Sequence, residues 1–295
     1  MATFYRRLPR FDYVVPKTLA EALKALNKHK DAAKLLAGGT DLVPQLKKRE
    51  LRTPEYIIDL KAIPGLNKIS YGKDGLRIGA LATINSIAQS SVIQEHYPIL
   101  VQTALGMASP QVRNRGTFAG NICNAVPSAD SAPSLLALGA SVKIKSARTE
   151  RVVPMDKFFT GPRITALKPN EMLLEIIVPK PIAGSRGVYL KLSPRHSMDL
   201  AVVGVGAVGI CKNGICKDVK IALGAVAPTP IRAAMAESML QGKTVTPELI
   251  TEAAKKAATE CRPIDDHRAS KEYRCDMVYV LTRRALNQIL LPQEG

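Results

Sequence analysis

The amino-acid sequence predicts an α+β protein. Helix-like and strand-like stretches are mixed along the chain without strict alternation, which argues against a doubly wound parallel sheet. Asn213-Gly214 lies between two apolar runs and marks a tight antiparallel hairpin. At 295 residues the chain can bury a sizeable core and accommodate two ordinary domains.

In chain order, TLAEALKALNKHK (18–30) reads as an amphipathic helix with stripe Leu19, Ala22, Leu23, Leu26. Thr18 is its N-cap, and Glu21 three residues on completes a capping box. AAKLLAGGTDL (32–42) reads as a short buried strand, a glycine turn and a helix start. YIIDL (56–60) and LRIGALA (76–82) are strand-like, with Gly72 and Gly75 bracketing a turn. Residues 83–108 read as helices around Pro98, and 108–133 as a loop. LLALGASVKI (135–144) is an apolar run. Strands then recur in RVVPM, EMLLEIIVP, GVYLKLS, LAVVGVGAVGIC and CKDVKIALGAVA. The end is helical: TPELITEAAKKAATE, capped by Thr246 before Pro247, and SKEYRCDMVYVLTRRALNQIL. PKPIAGSRG interrupts the pattern, so a boundary at Pro179–Pro181 is expected, with domains at 1–178 and 183–292.

Composition narrows the function. The net charge of +17 raises a nucleic-acid-binding reading, but aromatics are only 4%, Trp is absent and no nucleic-acid motif appears. Short basic runs such as Lys47-Lys48-Arg49 suit solvated faces, acidic partners or an anionic cofactor better. No transmembrane span and no secretory leader are expected. The five cysteines, Cys123, Cys211, Cys216, Cys261 and Cys275, lack paired spacing and read as reduced thiols of a cytoplasmic protein. His29, His96, His196 and His267 form no metal or catalytic pattern, so neither a metal site nor a catalytic acid–base pair is expected.

Gly204-Val-Gly206-Ala-Val-Gly209 spells GxGxxG, but a dinucleotide fingerprint needs a helix after it, and here a hairpin follows. These glycines are therefore expected inside a strand, where they permit close packing, and Gly206→Ala is expected to be silent for any cofactor. Two other segments suit an anion better. In Leu36-Ala37-Gly38-Gly39-Thr40-Asp41-Leu42, glycines after a strand let backbone amides approach a ligand, and the next helix adds its positive end. From these residues alone, an ordinary strand–turn–helix is an equal reading. In Thr117-Phe118-Ala119-Gly120-Asn121 small residues again allow close approach. Asp130, ahead of an apolar stretch, suits either a cofactor hydrogen bond or a helix cap. Two such loops suggest a diphosphate held between two sets of amides.

AGGTDL, followed by SPQVRNRGTFAGNICNAVPSADSAPSLLALGA, KLSPRHSMDLAVVGVG and EYRCDMVYVLTRRAL, resembles the flavoprotein subunit of molybdenum hydroxylases of the xanthine dehydrogenase/CO dehydrogenase type. The resemblance covers essentially the whole chain. It implies a PCMH/vanillyl-alcohol-oxidase-type FAD-binding domain of two α/β subdomains, then a C-terminal α/β domain with an antiparallel sheet. It implies an oxidoreductase subunit that does not hydroxylate by itself. Its FAD would relay electrons from a 2Fe–2S small subunit, beside a molybdenum-cofactor large subunit, to NAD or another acceptor. Leu36 to Leu42 would wrap the FAD pyrophosphate, Thr117 to Asn121 would face it, and Asp130 would bond the cofactor. Met107, Leu173 and Lys191 would lie against the flavin. Ala119 stands where the family usually has glycine, and its methyl could displace the phosphate. Residues 124–130 run straight through, without the cysteine-rich insertion that holds a 4Fe–4S cluster in some relatives. A stand-alone flavin oxidase or dehydrogenase on the same fold is the rival enzyme reading, and a basic nucleic-acid-binding protein the rival outside enzymes.

Overall fold

The computed structural model describes residues 7–195 and 198–292; His196 and the first six residues, on which part of the leader expectation rests, lie outside them. The chain runs β1 (Asp12–Val14), α1 (Leu19–His29), β2 (Ala33–Leu36), α2 (Leu42–Lys48), β3 (Tyr56–Asp59), β4 (Ile69–Gly72) and β5 (Gly75–Gly79). Helices α3 (Ile84–Gln89), α4 (Ser91–His96), α5 (Pro98–Gly106), α6 (Pro110–Arg113), α7 (Phe118–Asn124) and α8 (Ser131–Ala137) follow. Then come β6 (Ser141–Lys145), β7 (Glu150–Pro154), β8 (Phe159–Gly161), β9 (Ile164–Thr165), β10 (Met172–Val178), β11 (Arg186–Leu192), β12 (Val203–Lys212), β13 (Ile215–Gly224) and β14 (Ile231–Arg232). Helices α9 (Ala234–Leu240), α10 (Pro247–Glu260) and α11 (Lys271–Leu290) close the chain.

Three larger sheets and the small β8-β9 pair organise these elements. A parallel sheet, β1-β3-β2, is covered by α1, whose Ala22, Leu23 and Leu26 are buried as the stripe predicts. A five-stranded antiparallel sheet runs β4-β5-β10-β6-β7. Its third strand, β10, arrives from far along the chain to sit between β5 and β6. The last sheet, β11-β12-β13-β14, is also antiparallel. One of its faces is covered by α10 and α11, which form a core with Val203, Val205, Ala207 and Leu223. The other face meets α8, every residue of which is buried. Burial of Leu135 and Leu136 alone contributes about 1.5–3 kcal/mol each. The fold is α+β, as expected.

Local signals hold well. Thr246 Oγ1 accepts from the Leu249 amide, and Asn213 and Gly214 both take positive φ, 53° and 74°, as a primed turn requires. At α1 the capping box is only half reciprocal. Thr18 Oγ1 accepts from Glu21 N, but the Glu21 carboxylate accepts from Lys17 N, one residue ahead of the cap. The larger correction concerns 108–133. This segment is not a loop but three short helices, α6, α7 and the start of α8. Each is too short for a periodic pattern to show, and each draws its stability from a cap or from packing.

The GxGxxG glycines lie within β12, as the hairpin argument requires. Gly206 is nevertheless not a neutral position. A methyl group on it would lie 2.7 Å from the Pro133 carbonyl carbon in α8, so an alanine there strains the packing, a matter apart from any effect on a cofactor.

Candidate functional site

The two glycine segments meet. A Cβ on Gly38 would stand 2.0 Å from the Arg115 carbonyl oxygen, so only glycine lets these backbones touch. A Cβ on Gly116 would approach Thr40 Oγ1 to 3.3 Å. Gly39 takes φ +79°, the left-handed turn from β2 into α2. The junction is braced on both sides. Ile84 N donates to Gly116 O at 2.8 Å, and Asn124 Oδ1 accepts from Gln45 Nε2 of α2 and from Arg163.

What the junction offers is donors. The amides of Gly38, Gly39, Thr40 and Asp41 find no acceptor among the described residues, nor does that of Ala119, while the bridge between Thr83 and Thr117 engages the Phe118 amide. Helix starts leave such amides free, and convergent free amides suit an anion. Asp41 stands at the α2 N-cap position without capping a backbone group. Its side chain is exposed, yet crowding by the surrounding protein raises its carboxyl above the ordinary range, opposed by the charge of Arg163. Beside the junction lies a cleft of about 300 Å³, lined by Ala37, Gly38, Arg115 and Thr117 and, beyond the expected residues, by Lys61, Ala62, Pro64, Asn67, Thr83 and Asn114. A row of unpaired amides at Gly38–Asp41, with the free amide of Ala119, beside a cleft of mixed polarity fits a diphosphate with a flat group attached.

The remaining expected residues fall in distinct places. Leu36 ends β2 and Leu42 begins α2. Thr117 is the N-cap of α7, and its Oγ1 accepts from Gly120 N at 2.8 Å, so Gly120 spends its amide on the cap. Phe118 and Ala119 are buried in the main core and present only backbone to the junction. The Ala119 methyl thus lies in the core, which removes the expected displacement of a phosphate. Asn121 Oδ1 accepts from the backbone and hydroxyl of Ser131, leaving its NH2 group to donate elsewhere. Met107 and Leu173 are buried in the same core cluster, Leu173 beside an irregularity of β10.

Asp130 and Lys191 come together. Lys191 Nζ donates to Asp130 Oδ2 at 2.8 Å, and Tyr189 OH donates to Asp130 Oδ1 at 2.7 Å. Both ion-pair side chains are only 11% exposed, and Asp130 makes no cap bond to α8. Burial raises the Asp130 carboxyl above its ordinary value, and the charge of Lys191 and the two hydrogen bonds pull it back. Burial and the adjacent carboxylate push the Tyr189 phenol well above 10. Lys191 also donates to the Asp199 carbonyl at 2.9 Å. Tyr189 was legible in principle, because residues two apart on β11 share a face.

A further clamp escaped the sequence. Arg113 NH1 donates to the Met107 carbonyl at 2.9 Å and reaches those of Leu105 and Ala108. It holds a turn in which Ala108 takes φ +48°. No lone signal in the sequence marks an arginine for this work. Among the described residues no group of three or more His, Cys, Asp or Glu could hold a metal. None of their helices is long and apolar enough to cross a membrane.

Comparisons with known proteins agree with this picture. The family profile for the FAD binding domain in molybdopterin dehydrogenase matches residues 9–181, and that for the CO dehydrogenase flavoprotein C-terminal domain matches residues 188–289. The carbon monoxide dehydrogenase medium chain of Hydrogenophaga pseudoflava is 37% identical over 95% of this chain and 96% of its own. The xanthine dehydrogenase FAD-binding subunit of Escherichia coli O157:H7 is 34% identical over 94% of this chain and 95% of its own. The solved carbon monoxide dehydrogenase from Hydrogenophaga pseudoflava superposes with a TM-score of 0.92 at 38% identity, covering 95% of this chain and 97% of that one.

Proposed function

The chain belongs to the FAD-binding flavoprotein family of the molybdopterin dehydrogenases, and from that premise we propose how it works. It is an FAD-binding oxidoreductase subunit of the molybdenum hydroxylase family. In our reading it relays electrons in a cytoplasmic complex with a molybdenum-cofactor large subunit and a 2Fe–2S small subunit. The division into an FAD-binding part, 1–178, and a C-terminal part, 183–292, belongs to the same reading. The observation that carries it is the backbone contact of the two glycine segments, where the amides of Gly38–Asp41 and Ala119 are unpaired.

When bound, FAD supplies the redox centre that accepts electrons from the 2Fe–2S partner and passes them to NAD or another acceptor. The chain's own residues bind and orient it. The Gly38, Gly39, Thr40 and Ala119 amides would hold the pyrophosphate, with Thr40 Oγ1 beside them. The cleft lined by Lys61, Asn67 and Asn114 would take one nucleotide arm. Toward the other end, Asp130 and Lys191 would present a paired carboxylate and ammonium to the flavin, with Met107 held in place by Arg113. Acidic faces on the partners would complement the net charge of +17 and guide docking.

Denaturing the purified protein in acid tests the binding. One FAD per chain is expected in the supernatant, because no His or Cys lies in a flavin-linking context. A colourless protein that takes up no FAD on reconstitution overturns the reading. Affinity capture from the native source, with metal analysis, tests the assembly. Molybdenum and iron should co-purify, and a chain that purifies alone and bleaches its own flavin with an organic substrate would be a stand-alone flavoenzyme.

A further inference from the structure

The C-terminal part contains a pair of thiols that the electron-transfer reading does not use. Cys261 caps the C-terminus of α10 and is buried, while Cys275 sits in the second turn of α11 and is half-buried. Their Sγ atoms lie 2.9 Å apart, across a loop that returns the chain between the two helices. No spacing rule marks this pair, because the packing of α10 on α11 brings the sulfurs together. Cys211 and Cys216 are also opposite each other, as neighbours in the β12–β13 register, but their sulfurs make no comparable contact.

We propose that Cys261 and Cys275 are a reversible dithiol–disulfide site, closed by exchange with a low-molecular-weight disulfide such as oxidised glutathione. Cys275 is the more accessible thiol and attacks first. Its thiolate takes one sulfur of the small disulfide and expels the other half as a thiol, leaving a mixed disulfide on Cys275. Cys261 then attacks the Cys275 sulfur and expels the second half. The balance is two protein thiols and one small disulfide giving one protein disulfide and two small thiols. Burial, and next the adjacent Cys275 thiol, push the Cys261 thiol up to about 12. Capping Cys275 removes that second contribution and favours closure over first attack.

The closed loop is not idle backbone. It carries Asp266, which accepts from Arg268 and from the fully buried Arg274. Arg274 in turn donates to the carbonyls of Val202, at the entry to β12, and Ala225, after β13. A disulfide across residues 261–275 would fasten this network by shortening the loop in the unfolded chain.

The FAD-loaded protein is incubated with oxidised glutathione, its remaining thiols are alkylated in denaturant, and its peptides are mapped. Two of the five thiols should be lost to a Cys261–Cys275 cross-link that dithiothreitol reverses. Cys261→Ser should instead retain glutathione on Cys275. The oxidised protein should melt higher by about 5 °C and resist trypsin at Arg268 and Lys271. Alkylation of all five thiols in denaturant after that incubation would overturn the proposal. So would a Cys211–Cys216 cross-link with Cys261 and Cys275 left free, or wild-type protein that stops at the mixed disulfide.

Discussion

Two glycine-rich segments of this molecule look alike in sequence and differ in what their backbones have left to give. Gly204, Gly206 and Gly209 match a nucleotide fingerprint, yet β12 is paired on both sides, to β11 and to β13, and its ladder consumes the donors. Gly38 and Gly39 match no complete fingerprint, yet the amides from Gly38 to Asp41 are free. Close backbone packing does not separate the two. Gly38 touches Arg115 even more tightly than Gly206 touches Pro133. What separates them is the fate of the N–H groups. A glycine is evidence for a ligand only when the amides around it are unspent.

The first way to break this comparison is Gly38→Ala. Its methyl would strike a backbone carbonyl that cannot swing aside, so the two loops must part. A stability loss of more than about 3 kcal/mol is expected, with FAD content falling at least about tenfold in the fraction that still folds. Chemical denaturation and flavin absorbance read both; wild-type FAD retention would show that the junction does not hold the cofactor.

Next in size is Lys191→Met. It leaves the Asp130 carboxylate buried without its ion partner, at a cost of about 3 kcal/mol near pH 7. The sign of the pH dependence is set by Asp130, whose carboxyl is already raised in the folded state and would rise further. A raised carboxyl contributes stability below its unfolded pKa and loses it as pH rises through the folded pKa. The deficit of the variant should therefore shrink as pH falls from 7 toward the carboxylate range. Melting curves across pH that stay parallel would mean the pair is not buried in solution.

Gly206→Ala sharpens the contrast. Overpacking against Pro133 should cost about 2 kcal/mol. FAD affinity of the folded protein should change less than about threefold, because no free amide is involved. An affinity loss as large as that of Gly38→Ala would erase the distinction drawn above. The smallest effect belongs to Gly72→Ala, where an added methyl meets nothing within 4 Å and φ is ordinary. Both stability, within about 0.5 kcal/mol, and FAD content should match the wild type.

By itself the sequence determined whatever depends on neighbours in the chain. The α1 stripe, the Thr246 cap, the Asn213-Gly214 turn and the strand context of GxGxxG are set by side chains a few residues apart, so they could be read directly. The two glycine segments could be read as candidates, but that Gly38 packs on Arg115 could not. The helices of 108–133 were missed because four to seven residues do not complete a pattern, and their order comes from caps and burial. Only the tertiary structure decided the rest. It placed β10 between two strands that both precede it in the chain, β5 and β6, and set α8 against Gly206 and Gly224. It joined Asp130 to Lys191 across 61 positions and brought Cys261 to Cys275. Each of these contacts closes a loop in the chain, and its cost is repaid only when the whole core forms around it. That is why no local pattern announces them.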